Sequence, residues 1–349
     1  MSPSFDRLSP GDLVLMTGVS GLIGSTTARA LLDAGFRVRG ITRDLSRVTE
    51  LSAKFGADAF EAVEMADITK PEPFAPHLQG VAGVVHVAND TSWDPSPRRI
   101  IDTAVDSTLS LMKAAAAVPS VQAFVLTSSR SVASARPTDP EAEVVLTADS
   151  WVDGVTEQLF ALDAGDSRVP ALSYVASKYE GEKAAWAYYR AARPRYAFNA
   201  VLPDYVLGVP ANPRPGCYST YSFFMQFYAE RAYEWRVGPN FFLFTSPPGC
   251  YVSARDTACL HVVALAAREV QGERVYAATA PWDALEAAEA IHKADPAWEV
   301  PEAVKGADKK RKFRIPTDRF SELLQKYYGR EADRLDDIVR EVIEAQKKL

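Results

Sequence analysis

A tyrosine and a lysine four residues apart, Tyr174 and Lys178, carry the clearest chemical signal in this sequence. They stand near the start of a predicted helix, and residues with this spacing lie on one face of an α-helix. A free phenol ionises near pH ~10 and is a poor acid at neutrality, but a neighbouring ammonium lowers that pKa. The pair therefore predicts a proton donor for a carbonyl oxygen. The alternative is a surface tyrosine beside a solvated lysine.

A glycine-rich turn near the N-terminus predicts the element that places a cofactor beside this pair. An apolar run, 12–17, leads into Gly18, Gly21 and Gly24. An amphipathic run and a second apolar run, 36–41, follow. A strand, a glycine turn, a helix and a second strand form a dinucleotide-binding unit, in which the glycines admit the tight turn, the pyrophosphate and close helix packing. The helix N-terminus then faces the phosphates. The alternative is a structural turn without a ligand.

The end of the second predicted strand bears on which nicotinamide cofactor binds. NAD sites usually carry an acidic residue there, which bonds the ribose hydroxyls. This sequence instead has Arg43, with Arg47 one helical turn later. A planar guanidinium suits a 2′-phosphate, so we expect NADPH. Asp44, directly after Arg43, complicates this expectation, and a solvated loop arginine is the alternative.

Polar residues follow other predicted strands at the same edge of the sheet. The further strands are predicted over 60–65, 81–88, 121–127 and 195–202. Ligands of open parallel sheets bind outside the carboxyl ends of the strands. Asp67, after the third strand, is therefore a candidate adenine contact, with a helix N-cap as the alternative. Ser128 and Ser129 follow the fifth strand and face the same crevice.

Composition argues against several classes of function. The chain has 349 residues and a net charge of −6, which argues against a nucleic-acid-binding protein. Its three cysteines have no CxxC spacing and its histidines are scattered, so we expect reduced thiols and no metal site. His86 lies inside an apolar run, where a buried structural histidine is expected. Residues 1–11 do not read as a signal peptide and no apolar run reaches membrane-spanning length, so we expect a cytoplasmic protein.

The order of these elements predicts an α/β protein, a Rossmann doubly wound parallel sheet with a smaller C-terminal substrate lobe. We expect residues 1–208 to form the dinucleotide-binding domain and residues 209–349 to form mostly the substrate lobe. A part of the latter, about 251–280, is expected to return to the first domain. The segment 219–244 is rich in aromatic residues, which predicts either the wall of a pocket for a bulky apolar substrate or the core of the lobe.

Three motifs together resemble those of the extended short-chain dehydrogenases/reductases. They are Gly18-x-x-Gly21-x-x-Gly24, Thr127-Ser128-Ser129 and Tyr174-x-x-x-Lys178. The phrases VRGITR, FVLTSS, YVASK, NAVLPDYVLG and YVSARD are most similar to the fungal and yeast NADPH-dependent aldehyde and carbonyl reductases, in the dihydroflavonol reductase-like branch. The likeness covers most of the chain and is most specific up to about Gly208.

The resemblance implies a serine–tyrosine–lysine site for carbonyl reduction. Tyr174 would protonate the carbonyl oxygen, and Lys178 would lower the pKa of Tyr174 and hold the nicotinamide ribose. Ser129 would bond the substrate oxygen, with Ser128 as the alternative. The predicted cofactor contacts are Gly18, Ser20, Gly21, Leu22, Ile23, Gly24, Arg43, Arg47, Asp67, Ile68, Val87, Ala88, Thr127, Tyr174, Lys178 and Pro203. The predicted substrate contacts are Ser129, Tyr174, Asp204, Phe223 and Phe224.

Two positions depart from the pattern of this family. Many relatives carry an Asn where this chain has Ala104, so a proton relay through that amide is excluded. Asp204 replaces an expected amide and either changes substrate preference or caps a turn. We predict an NADPH-dependent reductase of bulky or aromatic aldehydes or ketones, which acts on a small molecule as a monomer or homodimer. The alternatives are a sugar-nucleotide epimerase or dehydratase, and a cofactor-sensing protein without enzymatic activity.

Overall fold

Short apolar sequences give this chain a central parallel sheet, whose inner strands are buried on both faces. The computed structural model describes residues 3–90, 96–134, 143–163, 165–210, 219–229, 249–304 and 313–348. The strands within them are β1 (Leu13–Thr17), β2 (Arg37–Thr42), β3 (Phe60–Glu64), β4 (Val81–His86), β5 (Ala123–Thr127), β6 (Val144–Val145), β7 (Ala197–Pro203), β8 (Tyr205–Leu207), β9 (Cys250–Ser253), β10 (Arg274–Ala277), β11 (Ala280–Pro281) and β12 (Phe313–Arg314). Seven of them pair in parallel in the order β10-β7-β5-β4-β1-β2-β3.

Helices cover both faces of this sheet. They are α1 (Leu22–Asp33), α2 (Thr49–Phe55), α3 (Pro97–Ala116), α4 (Val155–Phe160), α5 (Val169–Ala192), α6 (Ser219–Ala229), α7 (Ala254–Ala266), α8 (Ala284–Ala294), α9 (Asp318–Tyr328) and α10 (Leu335–Gln346). Helix α1 packs against α7, and α3 packs against α5. Because successive side chains of a strand point to opposite faces, Val14 and Met16 enter one core cluster with α1 and α7, while Leu13 and Leu15 enter another with α3 and α5. The predicted doubly wound α/β fold is confirmed.

The helix that carries Tyr174 and Lys178, α5, begins at Val169, a full turn before Tyr174. Pro170 lies in its first turn. Proline is tolerated there because the first N–H groups of a helix have no intrahelical partner. The early start places Tyr174 and Lys178 well inside the helix, on one face.

The C-terminal part adds a smaller layer and also returns to the central sheet. Helix α7 packs against β4, β5 and β7, and β10 pairs with β7. Strand β8 pairs in parallel with β9, and β9 pairs with β11 in the antiparallel sense, which forms a second sheet. Since β8 follows β7 after a single residue, Asp204 stands at the junction of the two sheets. Among the described residues, no helix combines the length and apolar character needed to cross a membrane.

Candidate active site

A crevice of about 370 Å³ opens at the carboxyl edge of the central sheet, where ligands of doubly wound sheets bind. The predicted cofactor contacts that line it are Gly18, Ser20, Gly21, Leu22, Ile23, Gly24, Arg43, Arg47, Asp67, Ile68, Val87, Ala88, Thr127, Tyr174 and Lys178. Pro203, the last residue of the buried strand β7, is not among the lining residues. The sequence therefore pointed to residues that share one crevice, and their contacts with a cofactor stay predictions.

The crevice also contains polar residues that sequence reasoning missed. They are Asn89, Asp90, Arg99, Thr103, Ser107 and Thr220. Asn89 and Asp90 follow β4, so the rule that ligands meet the carboxyl ends of strands would have found them. Arg99, at the start of α3, forms an ion pair of 3.0 Å with Asp90. The two residues are nine positions apart and no regular helix or strand spacing joins them, so no periodic signal marks their contact.

Close contacts between backbone atoms fix the shape of the glycine turn. Gly18 has φ +69°, and a Cβ there would lie 2.7 Å from the backbone nitrogen of Ala88. A Cβ on Gly24 would overlap the carbonyl oxygen of Gly18. Gly21 is the N-cap of α1 and has no side chain to bond the first N–H groups of that helix. These N–H groups border the crevice and can bind phosphate oxygens.

Two arginines border the crevice beyond the end of β2. Arg43 is exposed, and Arg47 lies in a short 3₁₀ turn, Leu45–Val48. Asp44, which complicated the prediction of NADPH, accepts a hydrogen bond of 2.9 Å from the N–H of Ser46. Its carboxylate therefore caps the turn, which gives it a structural task.

Asp67 forms a local turn after β3. Its carboxylate accepts hydrogen bonds from the hydroxyl and the N–H of Thr69 at 2.6 and 2.8 Å. These bonds hold the pKa of Asp67 below its ordinary value, so the side chain is ionised at neutral pH. The carboxylate lines the crevice without capping a helix, and its own turn fixes its direction.

Two buried histidines lie directly behind the crevice. His86 is 1% exposed and shares a hydrogen bond of 2.7 Å with the hydroxyl of Thr17. His261 lies 2.7 Å from the carbonyl of Thr257 through Nδ1, so its Nε2 accepts from the hydroxyl of Thr127 at 2.8 Å. Burial lowers the pKa of His86 to about 3 and that of His261 to about 4. Both are neutral at pH 7, and the prediction of a buried, bonded His86 is confirmed.

Tyr174 and Lys178 line the crevice, and Ser129 contacts Tyr174 from beside it. The hydroxyl of Tyr174 is hydrogen-bonded to the side chain of Ser129. Ser129 is fixed in turn, since its Oγ accepts from the N–H and the hydroxyl of Ser131 at 3.2 and 2.9 Å. Lys178 Nζ donates to the carbonyl oxygen of Thr127 at 2.9 Å. The phenol and the Ser129 hydroxyl are thus held together, and the Lys178 ammonium lines the same crevice as the phenol.

The acidity of this group differs from the sequence expectation. Burial raises the pKa of Tyr174, the hydroxyl of Ser129 and the guanidinium of Arg130 oppose that rise, and Asp204 adds to it. Burial lowers the pKa of Lys178 to about 8, against the opposing charge of Glu182. The expected net lowering of the Tyr174 pKa by Lys178 is therefore wrong for this structure, in which the ammonium is turned to the carbonyl of Thr127.

The two adjacent serines have different partners. The Ser128 hydroxyl donates to Glu182, whereas Ser129 contacts Tyr174. Glu182 is buried and also accepts from Arg274 Nε at 2.6 Å and from the Trp186 indole at 3.0 Å. Sequence reasoning missed Glu182, although it stands four residues after Lys178 and so continues the same face of the helix.

The predicted substrate contacts Asp204, Phe223 and Phe224 differ in their contacts and in their burial. Asp204 forms an ion pair of 3.0 Å with Arg130 and accepts the N–H of Cys250. Phe223 is partly exposed, but Phe224 is fully buried in the core. The ring of Phe224 belongs to a core cluster and has no exposed surface, and the substrate contacts of Phe223 and Phe224 stay predictions. The rest of the aromatic segment, 230–248, lies outside the described residues.

No group of three or more His, Cys, Asp or Glu side chains that suits a metal ion occurs within the described residues. Of the three cysteines, Cys250 and Cys259 are buried free thiols, and Cys217 lies outside the described part of the chain.

Comparison with known proteins agrees with this geometry. The chain matches the family model described as the NAD dependent epimerase/dehydratase family over residues 14–202. Aldehyde reductase 2 of Sporidiobolus salmonicolor is 33% identical over 280 residues, 79% of this chain and 79% of that protein. The NAD-dependent epimerase/dehydratase terH of Aspergillus terreus is 33% identical over 306 residues, 86% of this chain and 87% of that protein.

A solved structure shares the fold over nearly the whole chain. It is the yeast methylglyoxal/isovaleraldehyde reductase Gre2 complexed with NADPH, which superposes with a TM-score of 0.79. The match covers 96% of this chain and 98% of that chain at 21% identity, so it bears on the fold. With the glycine turn, the serine pair and the Tyr174–Lys178 helix in place, this chain belongs to the NAD dependent epimerase/dehydratase family of extended short-chain dehydrogenases/reductases.

Proposed function

We propose that this protein uses NADPH to reduce an aldehyde or ketone to an alcohol and that Tyr174 donates the proton. The observation that carries the proposal is the hydrogen bond between Tyr174 and Ser129 at a crevice that Lys178 and the glycine turn also line. A phenol held by a hydroxyl is suited to bind and protonate a carbonyl oxygen. The relative named as an aldehyde reductase supports the same reaction.

The residues of this chain supply orientation and the proton. Bound NADPH would supply the hydride. The hydroxyls of Ser129 and Tyr174 bond the carbonyl oxygen and fix the carbonyl for attack. When the carbonyl carbon receives the hydride, the O–H bond of Tyr174 breaks and its proton passes to the oxygen, which gives the alcohol. Tyr174 is left as a phenolate, which solvent reprotonates.

NADPH is the proposed cofactor because of the cations beyond β2. Arg43 and Arg47 both line the crevice there. A free Asp44 carboxylate would repel a phosphate, but this carboxylate caps the adjoining turn. The Gre2 structure, described as a complex with NADPH, is consistent with this choice.

The proposed substrate is a bulky or aromatic carbonyl compound. Within the described part of the aromatic segment, Phe223 and Tyr228 on α6 are partly exposed. Outside that segment, the rings of Tyr205 and Trp282 lie tilted to each other, with 4.9 Å between their centroids, in the smaller layer. Aromatic rings on this side of the chain would favour apolar substrate groups by burial.

A sugar-nucleotide epimerase or dehydratase is the second candidate. It is favoured by the relative named as an NAD-dependent epimerase/dehydratase. Such an enzyme would retain NAD and would not consume the cofactor with each turnover. The arginines beyond β2 argue for the reductase, because a 2′-phosphate is present in NADPH and absent from NAD.

The first prediction concerns Tyr174→Phe. NADPH oxidation should be followed with aldehydes, β-ketoesters, dihydroflavonols and aromatic ketones, using NADH in parallel. With a substrate that reacts, Tyr174→Phe should reduce kcat by about 10³-fold, because it removes the general acid. NADPH affinity, measured by titration calorimetry, should change little.

The matched control is Tyr179→Phe, which removes a hydroxyl from the same helix. That hydroxyl donates to the exposed side chain of Asp153 at 2.7 Å, so turnover should stay near the wild-type value. Undiminished turnover in Tyr174→Phe would contradict the proposed role of this residue. Tightly bound NAD in the purified protein, without carbonyl reduction, would favour the second candidate.

A further inference from the structure

An ion pair beside Tyr174 joins two loops at the carboxyl edge of the sheet. Arg130 directly follows Ser129 after β5, and Asp204 stands between β7 and β8. Arg130 Nε lies 3.0 Å from Asp204 Oδ1, and the two side chains are 18% and 7% exposed. A pair that is this well buried is screened by salt less than a surface pair. Neither residue lines the cofactor crevice.

Both partners are held by further contacts. Arg130 Nη1 donates to the hydroxyl of Ser134 at 3.1 Å. The second carboxylate oxygen of Asp204 accepts the N–H of Cys250 at the start of β9. The ion pair therefore ties the loop after β5 to the second sheet and has a fixed direction relative to Ser129.

The pair acts on Tyr174 with opposite signs. Arg130 lowers the pKa of Tyr174, and Asp204 raises it. Ser129, on the same loop as Arg130, is hydrogen-bonded to this phenol. Lys178, on the same helix as Tyr174, lines the same crevice and donates to the carbonyl of Thr127. Cys250, next to Asp204, is a neutral thiol because burial raises its pKa.

We propose that Arg130 and Asp204 form a positioning pair, which holds Ser129 beside the Tyr174 hydroxyl and sets the local charge that governs release of its proton. This role rests on the proposed function, since proton release matters for turnover only if Tyr174 is the donor. During reduction, the O–H bond of Tyr174 breaks and the phenolate forms near the Arg130 guanidinium, which stabilises the new negative charge. Asp204 limits that effect and keeps the phenol protonated before the hydride arrives.

The direct test is the titration of Tyr174 in the full-length protein. Tyrosine labelled with ¹³C at the ζ carbon allows each phenol to be followed by NMR, and Tyr174→Phe identifies the signal. Arg130→Met should raise the titration midpoint of Tyr174 by about one pH unit, because a nearby cation is lost. Asp204→Asn should lower it by about one pH unit, because a nearby anion is lost while an amide oxygen remains to accept the Cys250 N–H.

Two further variants separate charge from packing. Arg130→Lys keeps the cation and should keep kcat near wild type, whereas Arg130→Met should reduce kcat by about tenfold at neutral pH. Arg168→Met removes an arginine from an exposed ion pair with Asp166 before α5 and should leave both the titration and kcat unchanged. A structural role alone would make Arg130→Lys and Arg130→Met equally harmful and would not give shifts of opposite sign.

The outcomes also separate this inference from the proposed function. Equal midpoints of Tyr174 in wild type, Arg130→Met and Asp204→Asn would overturn the positioning role, whatever the activity. Wild-type Tyr174 could keep its proton at every pH at which the protein is folded. In that case, the absence of a Tyr174 titration in Asp204→Asn as well would overturn the positioning role. Opposite shifts together with full carbonyl reduction in Tyr174→Phe would uphold the ion pair and refute the proton donor.

Discussion

Two regions next to Tyr174, the crevice and the Arg130–Asp204 pair, are built from different groups. In the crevice, backbone groups do much of the positioning, as in the close approach of Gly18 to Ala88 and the bond from Lys178 Nζ to a main-chain carbonyl. Outside the crevice, the guanidinium of Arg130 and the carboxylate of Asp204, on two separate loops, do the positioning. The geometry of the first region therefore depends on the path of the backbone, and that of the second depends on two side chains.

This difference has consequences for what a substitution can change. Backbone groups are placed by the fold, so a side chain inserted into the crevice moves the whole turn. Charged side chains can be exchanged without moving the chain, so the Arg130–Asp204 region can change the acidity of Tyr174 while the cofactor stays in place. We therefore expect cofactor binding to respond to shape and proton transfer to respond to charge.

The largest effect on the crevice is expected from Gly24→Ala. The new Cβ would overlap the carbonyl oxygen of Gly18, and backbone atoms cannot turn aside as a side chain can. NADPH affinity should fall by at least about tenfold, because crowding of this kind costs about 1–3 kcal/mol and the turn must move to relieve it. Titration calorimetry and thermal unfolding would measure the loss.

The control for this prediction is Gly165→Ala. A Cβ at Gly165 meets no atom within 4 Å, and its φ is not in the left-handed region. Affinity and thermal stability should remain at their wild-type values. If Gly24→Ala binds NADPH as tightly as Gly165→Ala does, the crevice is not set by backbone shape, and the contrast between the two regions fails.

A smaller effect is expected from Arg43→Met. At this position a charged side chain, and not the backbone, is proposed to bind the cofactor. Arg43 is an exposed side chain at the crevice, where a charge would bind the 2′-phosphate. The KM for NADPH should rise by about tenfold, because a charge-assisted hydrogen bond contributes about 1.5–3 kcal/mol. The KM for NADH should hardly change, because NADH lacks this phosphate.

Arg29→Met provides a matched control, since it removes an exposed arginine of α1 that pairs with Asp33. Both KM values should then stay the same. An equal rise for NADPH and NADH in Arg43→Met would show that this residue does not discriminate between the cofactors.

The crevice could be predicted from sequence because its signals are local. The three glycines, the strand before them and Tyr174-x-x-x-Lys178 each occupy a few consecutive residues, and the parallel order of strands brings their ends together. Glu182 could have been found by the same local rule, four residues beyond Lys178. The doubly wound sheet follows from the alternation of apolar runs with helices.

The Arg130–Asp204 contact could not be predicted, because only the folded chain brings the two residues together. Arg130 and Asp204 are 74 residues apart, and only the pairing of β5 with β7 brings their loops together. The sequence marked Asp204 as unusual without showing its partner. The acidity of Tyr174 was also mispredicted, since spacing shows a neighbouring lysine but not the extent of burial, which here dominates the pKa.

A pH-dependent effect concerns Lys178, a charged residue that lines the crevice. Burial lowers its pKa to about 8 from the ordinary 10.5. Between these pH values the unfolded chain binds more protons than the folded one, so the contribution of Lys178 to the free energy of unfolding rises with pH across this window. The rise should be about 1 kcal/mol per pH unit and should be absent from Lys178→Met.

Urea unfolding at several pH values from 8 to 10.5 would show this slope as the difference between wild type and Lys178→Met. Lys183→Met, which removes a more exposed lysine of the same helix, paired with Asp153, should retain the wild-type slope. Parallel pH profiles for wild type and Lys178→Met would mean that the ammonium carries no burial penalty. Lys178 would then behave as a surface charge, and the crevice would depend on charge as much as the Arg130–Asp204 region does.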